Sequence, residues 1–202
     1  MAPPRESSRR TRPLVSLAAS LVAFLAAGAA EADPQGTVGL TIGVAGVGRD
    51  RAVWDDTVFH LGLRGDVLFL RDAPDELGVG PYGEVLSNAF DDIQIGGGIA
   101  LLVPVVEYLP IVVSAGGYGR GSDDGFEPGL AASLFWGTRS YNFHGSYGMA
   151  AGLLAQLRYG LGDSKETAVI VGAQLDLVAM TLPIQFLINA ARGGSPETAP
   201  VR

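Results

Sequence analysis

The chain has 202 residues, 14 basic against 21 acidic, a formal net charge of −7, and no cysteine. That balance excludes a nucleic-acid binder, which needs a basic footprint, and the missing thiols exclude disulfides and thiolate metal centres. Mean hydropathy is positive and 29 residues are Gly, yet beyond residue 32 no run is apolar for long enough to span a bilayer as a helix. The nearest stretch, 99–115, is broken by Pro104, Glu107 and Pro110. High hydropathy without a helical span is the composition of a sheet that turns one face to lipid.

Residues 1–32 read as a cleavable secretory signal. Arg5, Arg9, Arg10 and Arg12 give a positive start, 14–30 is apolar, and Ala30-Glu31-Ala32 is an Ala-x-Ala cleavage site. The expectation is export, with no lipid-modified cysteine and a remainder more acidic than the whole.

From residue 37 the apolar residues alternate, and alternation puts them on one face of a strand. The first segment, 37–48, sets Val38, Leu40, Ile42 and Val44 against Gly39, Thr41, Gly43 and Ala45. A polar loop, 49–57, follows. The second segment, 59–71, carries Phe59, Leu61, Leu63, Val67 and Phe69 on one face, with His60, Arg64 and Asp66 on the other. A soluble sheet rarely needs Arg and Asp between such neighbours, whereas a membrane barrel does, because its lipid face is apolar and its interior polar. Residues 72–76 form a turn around Pro74. The third segment, 77–86, faces Val79, Gly83 and Val85 one way and Gly80, Tyr82 and Glu84 the other.

The pattern continues through 93–105 (Ile93, Ile95, Ile99, Leu101 against Gln94, Gly96, Gly98) and 109–120 (Ile111, Val113, Ala115 against Ser114, Gly116, Tyr118, Arg120). It then runs through 126–141 (Leu130, Ala132, Leu134, Trp136 against Glu127, Ser133, Arg139) and 148–161 (Leu153, Leu157, Tyr159 against Gly152, Gln156, Arg158). The last segment is 167–178, with Val169, Val171, Leu175 and Leu177 opposite Gly172, Gln174 and Asp176. These are eight segments, each long enough to cross a bilayer at a tilt. Phe59, Phe69, Phe126, Tyr141 and Tyr159 stand at segment ends, where aromatic girdles lie. The expectation is an all-β fold: an eight-stranded antiparallel up-and-down transmembrane β-barrel over 36–178. Beyond it, Thr181 as cap and Pro183 in the first turn suggest a short interfacial helix over 181–192. A strand extension through Phe186 is the alternative, and 193–202 reads as a disordered tail.

This architecture resembles the small eight-stranded outer-membrane barrels of Gram-negative bacteria. The resemblance is to a superfamily and covers 37–178. It implies residence in the cell outer membrane, contact with outer-membrane lipid, and insertion by the barrel-assembly machinery. Barrels of this kind end on an assembly signal, which Gly172, Leu175 and Leu177 match, although here the chain runs on past it.

The polar face carries Arg64, Arg120, Arg139 and Arg158 with Asp66, Glu84, Glu127 and Asp176, four charges of each sign. A turn centred on Pro74 sets Arg64 opposite Glu84, and a loop centred between Asp123 and Asp124 sets Arg120 opposite Glu127. The expectation is a charge-balanced interior network in a non-enzymatic envelope protein. The acidic pairs Asp55-Asp56, Asp91-Asp92 and Asp123-Asp124 read as solvated loop carboxylates, all at one barrel end. No cofactor or metal site is implied, since the two histidines sit on different segments.

Two rivals remain. One is an exported soluble barrel binding an apolar ligand, with its apolar face inward. The other is a lipid-modifying enzyme. His144-Gly145-Ser146 resembles the His-x-Ser of outer-membrane lipid A deacylases. That family's downstream Glu falls here on Arg158, and its Asn after the serine is Tyr147. A serine nucleophile needs a base and the base an orienting acid.

Overall fold

The computed structural model describes residues 34–71, 73, 75–106, 108–122, 125–139, 148–181 and 187–188. The signal 1–32, Tyr141, and the His144-Gly145-Ser146 stretch lie outside the described residues, as do Asp123, Asp124 and the tail 189–202. Eight antiparallel strands form one closed barrel, each paired with its neighbours in sequence and β8 with β1. They are β1 (Gln35–Gly48), β2 (Asp56–Leu68), β3 (Gly78–Asn88), β4 (Ile93–Val103), β5 (Ile111–Ser122), β6 (Gly125–Arg139), β7 (Ala150–Gly160) and β8 (Thr167–Asp176). The fold is the eight-stranded up-and-down barrel that the alternation predicts.

Several boundaries differ from the sequence pattern for local reasons. β2 starts earlier than its apolar run, at Asp56, and ends before Arg71. Leu70 takes a left-handed φ of 63°, which turns the chain out of the sheet. β8 ends at Asp176, whose Oδ1 accepts from the N–H groups of Val178 at 2.7 Å and Ala179 at 3.3 Å. That is an N-cap, so helical residues begin at 177 and not at Thr181. Thr181 lies inside the helical turn and its hydroxyl donates to the Val178 carbonyl. Leu187 and Ile188 are helical as well.

The alternation sorts the chain into an apolar outer wall and a mixed inner one. Val44, Leu63, Val85, Ile95, Val113, Leu134, Leu153 and Val171 are all exposed large apolar side chains on the outside. Ile111 faces outward with them, half-buried. Aromatic rings extend this wall at the end away from the termini. Trp54 lies over Gly46, Phe126 over Gly119, and Phe59 stacks on Phe90 with centroids 5.7 Å apart. Inside, at the end bearing the termini, Leu68, Tyr82, Ala100, Leu102, Val112, Phe135, Ala150 and Leu154 pack into an apolar plug. Polar side chains fill the barrel above and beside it.

A narrow barrel bends its sheet sharply, and inward glycines make that possible. Gly98 and Gly116 face each other across β4 and β5. A Cβ on Gly116 would meet the Gly97 carbonyl oxygen at 2.1 Å and the Gly98 Cα at 2.7 Å. Gly117, one residue on, faces outward, and its Cβ would meet nothing nearer than 3.5 Å. Strand propensity alone treats the two positions alike and favours Ala over Gly at both. Gly116→Ala should therefore cost on the order of 1–3 kcal/mol through overpacking, while Gly117→Ala should be neutral or stabilising. Urea unfolding of the two variants checks this; equal effects would refute the inward packing at Gly116.

The connections divide unequally between the two ends. Those at 89–92, 123–124 and 161–166 are shorter than those at 69–77, 104–110 and 140–149, which share an end with both termini, and 49–55 equals 104–110 in length.

Candidate functional site

The inner wall carries the chemistry. Parity along each strand sends even-numbered residues of β2, β3, β4, β5, β7 and β8 inward, and odd-numbered ones of β1 and β6. This brings Arg64, Asp66, Glu84, Arg120, Glu127, Arg139, Arg158 and Asp176 to one interior. They do not form a single cluster but separate tiers along the axis.

The middle tier centres on Glu84. Arg64 and Glu84 are paired in register between β2 and β3, and Arg64 Nη1 donates to Glu84 Oε2 at 3.0 Å. Arg158 Nη2 reaches Glu84 Oε1 from the other side of the barrel. Gln156 Nε2 donates to both oxygens, at 2.9 and 3.1 Å. All four side chains are buried. Two guanidiniums therefore share one carboxylate, and aromatic faces take up part of the excess. Arg64 lies 4.1 Å from the Tyr82 centroid and Arg158 4.4 Å from that of Tyr118. The other Arg64 nitrogen, Nη2, donates to Ser114, whose hydroxyl also meets Ser133.

Nearer the termini, Arg139 binds Asp66 with both terminal nitrogens, a bidentate pair, and Nη2 also donates to Thr37 at 3.0 Å. Arg71 is buried there and donates to Gln35. Asp176 is turned to the helix cap described above.

Towards the far end the polar chain continues. Arg158 Nη1 donates to Gln94 Oε1 at 2.6 Å, and Gln94 Nε2 to Asp92 Oδ2 at 2.6 Å. Arg120 stands opposite Glu127 in register, but the two are 3.9 Å apart. Its close partners are Asp92 at 2.9 Å and Glu166 at 2.7 Å. Glu127 leans towards Ser164 instead, accepting from its N–H and hydroxyl.

Asp92 corrects an expectation. It is no solvated loop carboxylate but is buried, accepting from Arg120, Gln94 and the Asn88 N–H. Burial pushes the Glu166 carboxyl up, and Arg120 beside it pulls the other way. Asp92 and Glu166 have the inward parity of β4 and β8, so extending each strand's alternation by one step would have found them. Asp55 and Asp56 are exposed.

Of the assembly-signal residues, Gly172 faces inward against Gly43, Leu175 points outward, and Leu177 starts the helical turn. Among the described residues no three His, Cys, Asp or Glu side chains are placed to hold a metal ion. No described helix is long and apolar enough to cross a membrane, which says nothing of strands.

Charge removal should expose the sharing at Glu84. Arg64→Met leaves Glu84 with Arg158 and Gln156, whereas Glu84→Gln orphans two guanidiniums. Breaking a buried pair from one side costs about 3–5 kcal/mol, so Glu84→Gln should be the more destabilising. Adding Arg64→Met to it should recover part of the loss. Urea titration of the singles and the double measures this. A double variant as unstable as the two losses summed would contradict it.

No protein-family model matches the chain, and no curated protein matches it. Among solved structures the barrel is similar to two crystal structures of Ail, the attachment invasion locus protein of Yersinia pestis. One of these holds the heparin analogue sucrose octasulfate, and it is 14% identical. The other is 13% identical. Both matches cover 72% of this chain and 99% of Ail, with a TM-score of 0.38. The likeness is one of fold alone.

Proposed function

We propose that the chain is a non-enzymatic integral barrel of the outer membrane of a Gram-negative cell, exported by a signal at 1–32, with a structural or interaction role. One observation carries this reading: the closed barrel turns its apolar side chains outward and its charges inward. A ring of exposed Leu, Ile and Val around a sheet with no edge is matched to hydrocarbon, not to water. A soluble barrel with an apolar ligand needs the reverse arrangement, with Arg64, Glu84 and Arg158 in water. The packed, charge-paired interior favours a closed body over a pore. Insertion by the barrel-assembly machinery, with Gly172, Leu175 and Leu177 as its signal, belongs to the same proposal.

An even strand number leaves both termini on one side, the periplasmic side in this reading. The connections at 49–55, 89–92, 123–124 and 161–166 then face outward. Outer-membrane barrels that work through extended surface loops have it the other way round, with short turns inside. Little chain is exposed outside, which favours a structural role or a contact made by the barrel rim over long adhesive loops.

Leu63 lies mid-strand on the outer wall. Leu63→Arg should cost on the order of 2–4 kcal/mol in folding into lipid bilayers, since a charge near the midplane faces hydrocarbon. Urea titration in vesicles checks it. Unchanged stability in bilayers, or release of the native protein from membranes by an alkaline wash, would overturn the membrane reading.

A further inference from the structure

At the barrel end away from the termini, one guanidinium stands among three carboxylates. Arg120 Nε donates to Asp92 Oδ2 at 2.9 Å, and its Nη1 donates to Glu166 Oε2 at 2.7 Å. The same Nη1 lies 3.9 Å from Glu127 Oε2. That Glu127 oxygen accepts from the Ser164 hydroxyl, and Oε1 accepts from the Ser164 N–H at 2.9 Å. Glu166 and Glu127 thus contend for one nitrogen, while Arg120 and Ser164 contend for one carboxylate. Both contests bear on the 161–166 connection, because Glu166 is its last residue before β8 and Ser164 lies within it. The connection is also tied by backbone. Ser164 and Lys165 carbonyls accept from the Asp50 and Arg51 N–H groups, each at 3.2 Å, and Leu161 donates to Pro128 at 2.8 Å.

Glu166 is the member placed to take a proton. Its side chain keeps 7% of its surface exposed, and with Asp92 and Arg120 it lines a cavity of about 430 Å³ whose rim is solvated. Facing it are Arg120 and Tyr118 of β5, Asp92 ahead of β4, Glu127 of β6 and Arg49 beyond β1. Burial holds its carboxyl above the usual glutamate range against the pull of Arg120, and Asp92 adds to the rise. Arg49 opposes the rise weakly, and Glu127 adds to it least. Glu127 has more solvent around it and accepts two hydrogen bonds from Ser164, both of which favour a charged carboxylate.

We propose that this end of the barrel is an acid-responsive latch: a proton taken by Glu166 moves Arg120 Nη1 to Glu127, which turns away from Ser164 and loosens the 161–166 connection. The exchange needs little motion. Arg120 Nε stays on Asp92, and Nη1 has only to close its 3.9 Å separation from Glu127 to an ion-pair distance. A neutral Glu166 no longer competes for it. Because the Glu166 carboxyl is raised in the folded barrel, the folded state takes the proton before the unfolded chain does. Its contribution to global stability is therefore lost as pH rises through the folded pKa and regained as pH falls through it. A connection that loosens while global stability rises is distinct from the onset of acid unfolding. The latch does not rest on the membrane reading, since the solvent at this end sets its state in either case.

The test is nuclear magnetic resonance of the full folded barrel in detergent micelles, titrated from neutral pH to about 4.5, just above the ordinary glutamate pKa. The Ser164 amide proton, shifted downfield by its bond to Glu127, should move upfield as that bond is lost. Glu166→Gln carries the neutral state, so its Ser164 signal should already be upfield at neutral pH and should not move over this window. Urea unfolding of the wild-type barrel should become harder over the same window, and Glu166→Gln should lose that gain. If the variant fails to fold, the wild-type titration and its urea series decide alone. A wild-type Ser164 signal that stays constant overturns the proposal. So does a Glu166→Gln signal that stays downfield or titrates like wild type, and so does a wild-type shift that accompanies falling global stability.

Discussion

One carboxylate near the barrel axis carries the interior. Glu84 accepts from Arg64 of β2 and from Arg158 and Gln156 of β7, so it ties strands on opposite sides of the barrel to each other. Backbone pairing links each strand only to its neighbours. Strand number and stagger set the spacing of the walls, and the cross-barrel side-chain bonds add links between them. They also explain why so many of the surrounding positions are small. Four long side chains meeting at one point leave room for little else, and Gly96, Gly98, Gly116 and Ser114 occupy the wall around them. The same crowding makes inward and outward glycines unlike each other in what they tolerate.

The charges follow from this geometry. With Arg71, Asp92 and Glu166 included, five guanidiniums (Arg64, Arg71, Arg120, Arg139, Arg158) share the interior with six carboxylates (Asp66, Glu84, Asp92, Glu127, Glu166, Asp176). Each tier answers its own imbalance differently. The middle tier has too few carboxylates and adds aromatic faces. The far tier has too many around Arg120, and Glu127 takes its hydrogen bonds from Ser164 instead. An interior sorted in this way resists the loss of any one member, because unpaired charge in a low-dielectric space is far more costly than the pair is favourable.

Much of the architecture was legible because a strand's period is two and its faces here are chemically opposite. That opposition assigned Leu63 outward and Arg64 inward without any knowledge of the fold. The facing of Arg64 and Glu84 followed from parity plus the centre of a short hairpin. What the pattern hid were groups at strand ends. Asp92 and Glu166 sit where alternation passes into loop, and acidic residues there read as solvated until a partner from another strand is known. Arg120 found Asp92 diagonally beside it, next to the neighbouring β4, and Glu166 across the barrel, a partner that hairpin counting cannot reach. The helix start was misplaced for a similar reason. Asp176 is an inward charge, and its carboxylate also caps the turn that follows. The left-handed Ala89 and Phe90, at φ 56° and 66°, were invisible because neither residue advertises such a turn. The Phe90 ring packed on Phe59 helps to hold it.

The central claim is that the outer wall faces lipid and the inner wall does not. The chain has no cysteine, so single cysteines placed in turn along residues 112–118 of β5, leaving out the crowded Gly116, can carry spin labels without background. In vesicles, collision with oxygen, which concentrates in hydrocarbon, reports lipid exposure, and collision with a water-soluble nickel chelate reports water. The account predicts a period of two. Labels at Val113, Ala115 and Gly117 should be oxygen-accessible and shielded from nickel, and labels at Val112, Ser114 and Tyr118 should be shielded from both. High nickel access at the odd positions, or oxygen access that peaks at the even ones, would contradict it.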